Sequence, residues 1–312
     1  MKKSEILKLY KDSEKNPQRL YKMADDLRRR YFGKKVELCS IINAKSGNCS
    51  ENCRFCSQSS HYKGNAPVYP LVSTDKMLNA AKDAAQNKAH GFGIVTSGDC
   101  IDGAKELPEI CEAITRIKEL GIINPDASLG RLTKAMARRL KNAGLVRYHH
   151  NLETSEDFFP SVCTTHSYKD RIETVRIAKE EGFQVCCGGL FGLGETVEQR
   201  IDFAFTLKEI DVDSVPLNFL IPIPGTPFES NKSLGPDEIL MTIAIFRLIL
   251  PDRHIKVCGG REKNLGKRQN EIFSSGASGM MVGGYLTQGG NPPKEDLKML
   301  EGLGLEPCLN KS

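Results

Sequence analysis

The stretch Cys49-Ser50-Glu51-Asn52-Cys53-Arg54-Phe55-Cys56 places three thiols within eight residues, separated first by three residues and then by two. No fourth cysteine follows at short spacing, so a metal centre built on this loop keeps one position open. Thiolates at such spacing are the usual holders of iron–sulfur clusters, and a triad suggests a cubane whose fourth iron is free to bind another ligand. A closed zinc site is the competing reading. Structural zinc takes four Cys or His ligands, usually as two separated pairs, and neither Ser57 to Tyr62 nor the upstream stretch offers the second pair. The polar residues between the cysteines argue against three unrelated buried thiols. Just upstream, Val36-Glu37-Leu38-Cys39-Ser40-Ile41-Ile42-Asn43 has the β-branched, apolar character of a buried strand and delivers the chain into the cysteine loop.

Outward from that strand the pattern alternates. Helices are expected at Asp75 to Lys88, Leu107 to Leu120, Lys134 to Asn142, Tyr168 to Glu181, Thr196 to Lys208, Pro236 to Leu250 and Asn264 to Ser275. The intervening strands fall at Gly91 to Thr96, near Ala127 to Leu129, Leu145 to Leu152, Gln184 to Phe191, Ser214 to Ile221, His254 to Cys258 and Gly279 to Gly283. With the first strand this makes eight, which predicts an α/β fold, a (β/α)8 TIM-type barrel spanning residues 35–312. Residues 1–34 read as an N-terminal helical extension, Glu5 to Lys11 and Gln18 to Tyr31, expected to cap the closed end. Chemistry in such barrels sits at the C-terminal ends of the strands. Every unusual polar motif falls there: the cysteine loop, Thr96-Ser97-Gly98-Asp99, His149 to Glu153, Gly188 to Glu195, Asn218 and Gly259-Gly260-Arg261.

The 312 residues suffice for one such domain, and 39% hydrophobic with 27% charged residues is ordinary for a globular protein. The net charge of +5 is spread among acids on helix faces without a basic stripe, which argues against nucleic-acid binding. No apolar stretch reaches transmembrane length and no signal-peptide pattern opens the chain, so no membrane association and a cytosolic location are expected. Eleven cysteines in a chain this long do not make a disulfide scaffold and point to metal or redox chemistry.

The motif Cx3CxΦC, with Phe55 before the last cysteine, resembles the signature of the radical S-adenosylmethionine superfamily. Taken with His150-Asn151-Leu152-Glu153-Thr154-Ser155, Gly188 to Thr196, Val215-Pro216-Leu217-Asn218, Gly225-Thr226-Pro227 and Gly260-Arg261-Glu262, the chain from Val36 onward resembles the biotin synthases. That resemblance implies a [4Fe-4S] cluster on Cys49, Cys53 and Cys56 with S-adenosylmethionine chelated to its open iron, and sulfur insertion into dethiobiotin. It implies that Asn151 and Glu153 contact the cofactor ribose, with Asn151 also near substrate, that Arg171 meets the cofactor carboxylate, and that Ser97 and Gly98 hold its ammonium. Asn218 is implied to contact the ureido ring of the substrate. A flavodoxin or ferredoxin as electron donor and a homodimeric assembly complete what the resemblance suggests. Read from the residues alone, Asn151 and Glu153 stand two apart on an expected strand and share a face, where a ligand or an internal hydrogen-bond network would offset their burial. Asn218 admits a structural role and Arg171 a surface helix position on the same footing. The spaced glycines of Gly188 to Glu195 suit close approach of backbone to a ligand.

The departure lies in a second metal site. The family commonly carries an auxiliary cluster held by cysteines on strands two, three and five and an arginine on strand seven. Here Val95 and Asp126 stand where the first two cysteines would be, while Cys186 and Arg261 are present. Cysteine reappears nearby at Cys39, Cys187 and Cys258, so an auxiliary iron–sulfur cluster of different ligation is expected from Cys39, Cys186, Cys187, Cys258 and Arg261. Adjacent residues on an extended strand point to opposite faces, so Cys186 and Cys187 both ligate only if the backbone bends. Two rival readings stay open at this point: a related barrel enzyme that transfers no sulfur, of hydrogenase-maturation or mutase type, and a non-enzymatic metal or RNA-binding module.

Overall fold

The computed structural model describes residues 1–309 except Gln288. Two helices, α1 (Lys3–Ser13) and α2 (Gln18–Phe32), precede the alternating part of the chain. There follow β1 (Lys35–Lys45), α3 (Thr74–Gln86), β2 (Gly91–Thr96), α4 (Glu106–Glu119), β3 (Asn124–Ser128), α5 (Lys134–Asn142) and β4 (Arg147–His149). Next come α6 (Tyr168–Glu180), β5 (Gln184–Cys186), β6 (Gly189–Phe191), α7 (Val197–Glu209), β7 (Ser214–Phe219), α8 (Pro236–Ile249) and β8 (His254–Val257). The chain closes with α9 (Arg261–Leu265), α10 (Glu271–Ser274), β9 (Gly279–Met281), α11 (Pro293–Gly302) and the short β10 (Glu306–Pro307).

All strand pairs are parallel, and β1 hydrogen-bonds to β2 on one side and β9 on the other, which closes the barrel. β5 and β6 form one stave broken at Cys187-Gly188, so the barrel has the eight staves read from the sequence. The short β10 adds to the start of β1 through Lys35 and Glu306. Register between β1 and β2 slips between Asn43 and Lys45, a bulge at the point where β1 releases the chain into the cysteine loop.

Helix starts follow local chemistry. Ser73, Thr133, Ser167 and Thr196 each accept a hydrogen bond from a first-turn N–H, and the last two do so within capping boxes. The almost wholly apolar α8 is buried from Ile239 through Ile249 because the barrel covers one side and α2 the other. Leu20, Tyr21 and Ala24 of α2 are buried in that contact, and a buried side chain of Leu size contributes about 1.5–3 kcal/mol. The expected cap on the closed end is therefore a flank: α2 lies along α8 and α10, and α1 along α7 and α8. At the end of α2, Phe32 reaches the closed end, its ring 4.5 Å from that of His254 at the start of β8. The single helix expected over Asn264 to Ser275 is broken, with a tight turn at Gly266, whose φ of 52° suits glycine.

Candidate active site in the barrel mouth

Between the staves lies a cavity of about 750 Å3. It is lined by the cysteine loop (Cys49, Cys53, Phe55, Cys56), by Ser97 and Gly98 after β2, by Asn151, Glu153 and Arg171, and by Asn218 on β7. Thirteen of the fifteen residues singled out from the sequence line this space; Cys187 and Arg261 do not.

The cysteine loop is held by its own backbone: Cys49 N–H donates to Gln58 O at 3.0 Å, Ser60 N–H to Cys49 O at 2.8 Å and Cys56 N–H to Cys53 O at 3.0 Å. Burial pushes the Cys56 thiol up to about 11 and raises that of Cys49; hydrogen bonding to Cys163 together with burial pushes that of Cys53 up. The three thiols hold their protons until a metal displaces them. Phe55 packs against Val162, Leu193, Leu220 and Phe228, anchoring the loop over the far rim.

β4 ends at His149, so Asn151 and Glu153 do not owe their shared face to strand alternation, as the expected strand Leu145 to Leu152 would have it. They lie in an irregular turn in which Glu153 adopts φ 71°, a left-handed backbone that a residue with a side chain adopts at a cost. Gly188 N–H donates to Asn151 Oδ1 at 3.1 Å, and Asn151 Nδ2 reaches Glu153 Oε2 at 3.5 Å. Burial raises the Glu153 carboxyl, and Arg171, 3.6 Å away, opposes the rise. Arg171 is an inward residue, not a surface one: it donates to Asn151 O at 2.7 Å and His166 Nε2 at 2.9 Å, and its remaining nitrogen lies 3.9 Å from Cys53 Sγ. Ser97 donates from its hydroxyl to Gly47 O at 2.7 Å, which ties the turn after β2 to the loop after β1. Asn218 does serve the fold, donating to Gly189 O at 3.1 Å and accepting from Gly259 N–H at 2.9 Å, and keeps one N–H and one lone pair for the cavity.

The glycines of strand five answer to protein rather than to a ligand. A Cβ on Gly188 would stand 2.0 Å from Pro216 O and one on Gly189 2.2 Å from Glu153 O. Glu195 braces the following loop, accepting from Gly192 and Leu193 N–H at 2.9 and 2.8 Å and pairing with Arg200.

On the barrel floor Cys39, Cys186 and Cys258 face the cavity. Cys39 and Cys258 pack together with Met281, and their thiols donate to the carbonyls of Met280 at 3.8 Å and Lys256 at 4.0 Å. Beside them stand three groups the sequence reading did not rank: Lys256, His149 and Asp126. Lys256 is fully buried, 2.6 Å from Glu37, which also pairs with Arg147 at 2.7 Å. Burial would raise Glu37, but Lys256 and Arg147 outweigh it and hold its carboxyl well below the usual range. Against burial, the charges of Cys186 and Asp126 hold the His149 ring up to about 10; in turn His149 and Lys256 overcome burial to bring Cys186 down to about 7. The alternation of β8 was the available signal, since Lys256 and Cys258 are two apart and face the same side.

Two expectations are corrected here. Cys187 points outward into the core between barrel and helices, because no bend intervenes between it and Cys186; burial raises its thiol. Arg261 begins α9 and turns away from the cavity, making two 2.9 Å contacts with Asp296 of α11 and one of 2.7 Å with Gln269. The Gly259-Gly260 turn carries it outward, and the buried cation on stave seven that faces the thiols is Lys256.

The donor set fits an iron–sulfur centre: three thiols on one loop at the mouth, three more facing one another below, and cations beside the lower set. Thr96 Oγ1 and Asp126 Oδ1 in the cavity wall are buried without a hydrogen-bond partner among the described residues, as suits a wall that meets a polar ligand.

Residues 44–207 match the radical SAM superfamily and residues 216–306 the biotin and thiamin synthesis associated domain. Among solved structures the chain is similar to methylornithine synthase, with a TM-score of 0.83 at 21% identity, covering 98% of this chain and 94% of that one. It is similar also to the FeFe-hydrogenase maturase of Carboxydothermus hydrogenoformans, at TM-score 0.83 and 19% identity over 98% and 76% of the two chains. Fold and loop define a radical SAM enzyme on a TIM-type barrel. Within that class, biotin synthase of Geobacter sulfurreducens is 55% identical over 92% of this chain and 87% of its own, and that of Geotalea uraniireducens 54% over the same shares. The chain belongs to the biotin synthase family, which sets aside the binding-module reading and the barrel enzyme without sulfur transfer.

Proposed function

We propose that the cavity inserts sulfur into dethiobiotin, with Cys49, Cys53 and Cys56 holding a [4Fe-4S] cluster and S-adenosylmethionine seated between the cysteine loop, Glu153 and Arg171. The observation that carries the reading is the pairing, in one cavity, of a three-thiol loop at the mouth with three inward thiols on the floor. When bound, the cluster and S-adenosylmethionine supply the one-electron chemistry that breaks unactivated C–H bonds. The chain supplies placement. Arg171 presents its third nitrogen beside Cys53, 3.9 Å from the sulfur, where a carboxylate on the open iron would meet it. Glu153 and Asn151 offer acceptor and donor atoms for a ribose, and Ser97 with Gly98 offers backbone for an ammonium group. Asn218 holds a uniquely oriented amide toward a urea-like ring, and Phe55 with its apolar neighbours keeps water from the reacting carbons.

On the floor we place an auxiliary iron–sulfur cluster with Cys39, Cys186 and Cys258 as thiolate ligands and Lys256 and His149 as neighbouring cations balancing its charge. The family reading supports a flavodoxin or ferredoxin as reductant, a homodimer and a cytoplasmic location. No helix among the described residues is long and apolar enough to cross a membrane. Replacing any one of Cys49, Cys53 or Cys56 by Ala should abolish reductive cleavage of S-adenosylmethionine; undiminished cleavage overturns the assignment. Anaerobic iron and sulfide analysis of a protein lacking all three then counts the auxiliary cluster alone, and a protein with neither element removes that site.

A further inference from the structure

Cys163 belongs to none of the groups assigned above, yet it stands against the cysteine loop. Two segments pass each other here. Arg54 N–H donates to the Val162 carbonyl at 2.9 Å, while Asn52 Oδ1 accepts from Thr164 N–H at 2.9 Å and Thr165 N–H at 3.3 Å. Cys53 and Cys163 are the residues enclosed between these contacts. Cys53 Sγ, Cys163 Sγ and a ring nitrogen of His166 lie within 4.8 Å of one another. Cys163 Sγ also approaches Asn52 Oδ1 at 3.3 Å, Thr165 Oγ1 at 3.4 Å and His166 Nδ1 at 3.4 Å, a setting too polar for a thiol that merely fills space. A mononuclear metal ion on these three residues is disfavoured, because both His166 nitrogens are engaged, Nδ1 by Glu51 and Nε2 by Arg171.

We propose that Cys163 is the oxidation partner of Cys53, closing a disulfide when a peroxide destroys the open-iron cluster. This rests on Cys53 being a ligand of that cluster. The Cys53 thiolate released from iron attacks the peroxide, breaking the O–O bond to give a sulfenic acid and hydroxide. The Cys163 thiol then displaces the sulfenic hydroxyl, forming the S–S bond and releasing water, so that two electrons pass from the thiols to the peroxide. Cys53 is thereby kept from the irreversible sulfinic state, and reduction returns it as a ligand. Among the described residues no other group of three potential ligands lies within 4.8 Å of one another.

The test treats cluster-loaded protein anaerobically with hydrogen peroxide, alkylates free thiols and maps the peptides without reduction. The wild type is expected to yield a Cys53–Cys163 cross-link as its main disulfide and, after dithiothreitol with iron and sulfide, to regain its cluster absorbance. Cys163→Ser is expected to accumulate several-fold more Cys53 sulfinate and to regain several-fold less cluster. A main cross-link within the triad, or equal sulfinate in both proteins, overturns the pairing. The mapping of wild type decides the matter even if the variant loads poorly. The underlying reading fails separately, if protein lacking Cys53 still holds the open-iron cluster.

Discussion

Glu153 is held with its backbone in the left-handed region and its carboxyl raised by burial, between Asn151 and Arg171. Glu153→Gln preserves shape and removes the charge, and hydrogen bonds to charged groups contribute about 1.5–3 kcal/mol. It should therefore weaken S-adenosylmethionine binding by about 10- to 100-fold while leaving dethiobiotin affinity nearly unchanged, as read by equilibrium titration of cluster-loaded protein. Asn218→Ala should do the reverse and, by unpairing Gly189 O and Gly259 N–H, cost about 1–3 kcal/mol of stability. If both variants altered only cofactor affinity, Asn218 would be a brace between β6 and β8 and no more. Asn218 was visible in the sequence as a polar interruption of a barrel strand, and Glu153 as part of the polar run that follows strand four. Lys256 carries no motif and shows in the sequence only as sharing a face with Cys258; closure of the barrel, which sets it opposite Glu37 of β1, gives it a partner and a role.

The stave formed by β5 and β6 separates two cysteines that are neighbours in sequence. Cys186 faces Cys39, Cys258 and His149, whereas Cys187 is packed in the outer core. In a protein without the first triad, Cys186→Ala should remove most of the remaining iron, and Cys187→Ala should leave it in place at some cost in packing. Equal iron loss from both would mean that the stave rotates on cluster loading. The alternation rule allows one inward cysteine of the two but does not say which, and both only if the backbone bends. The break at Gly188 instead lets Pro216 O and the backbone of Glu153 approach. Arg261 was misjudged for a similar reason: two preceding glycines permit a turn in either direction, and the choice is set by Asp296, thirty-five residues on. Both members of that pair are fully buried. Asp296→Ala leaves the guanidinium to Glu262 at 2.9 Å and Gln269 at 2.7 Å and should cost about 1–3 kcal/mol in urea unfolding without altering auxiliary iron content.

At the scale of the whole molecule the barrel was legible because each strand–helix unit repeats the same periodicities, and the site because its motifs fall at the same end of six of the eight units. The flank formed by α2 was not legible: its apolar stripe shows that it packs, and only α8, buried from Ile239 through Ile249, shows where. The closed end adds a whole-molecule response to acid. His254, at the start of β8, is held down to about 4 by burial; Glu37 opposes that shift, while Lys256, Arg147 and Arg247 add to it. His150 and His90 are lowered by burial in the same direction. Histidines with depressed values take up protons in the unfolded chain first, so stability falls as pH drops from about 6.5 toward 4. His149 and His166, whose values are raised, are charged in both states below 6.5 and add no slope in that window. A ring 28% exposed tempers the share of His254 to about 2 kcal/mol across this window. Urea midpoints of cluster-free protein at pH 7 and pH 4.5 should differ accordingly, and His254→Asn should flatten the difference. An unchanged slope in that variant would place the acid sensitivity at the buried His150 and the cavity rather than at the closed end.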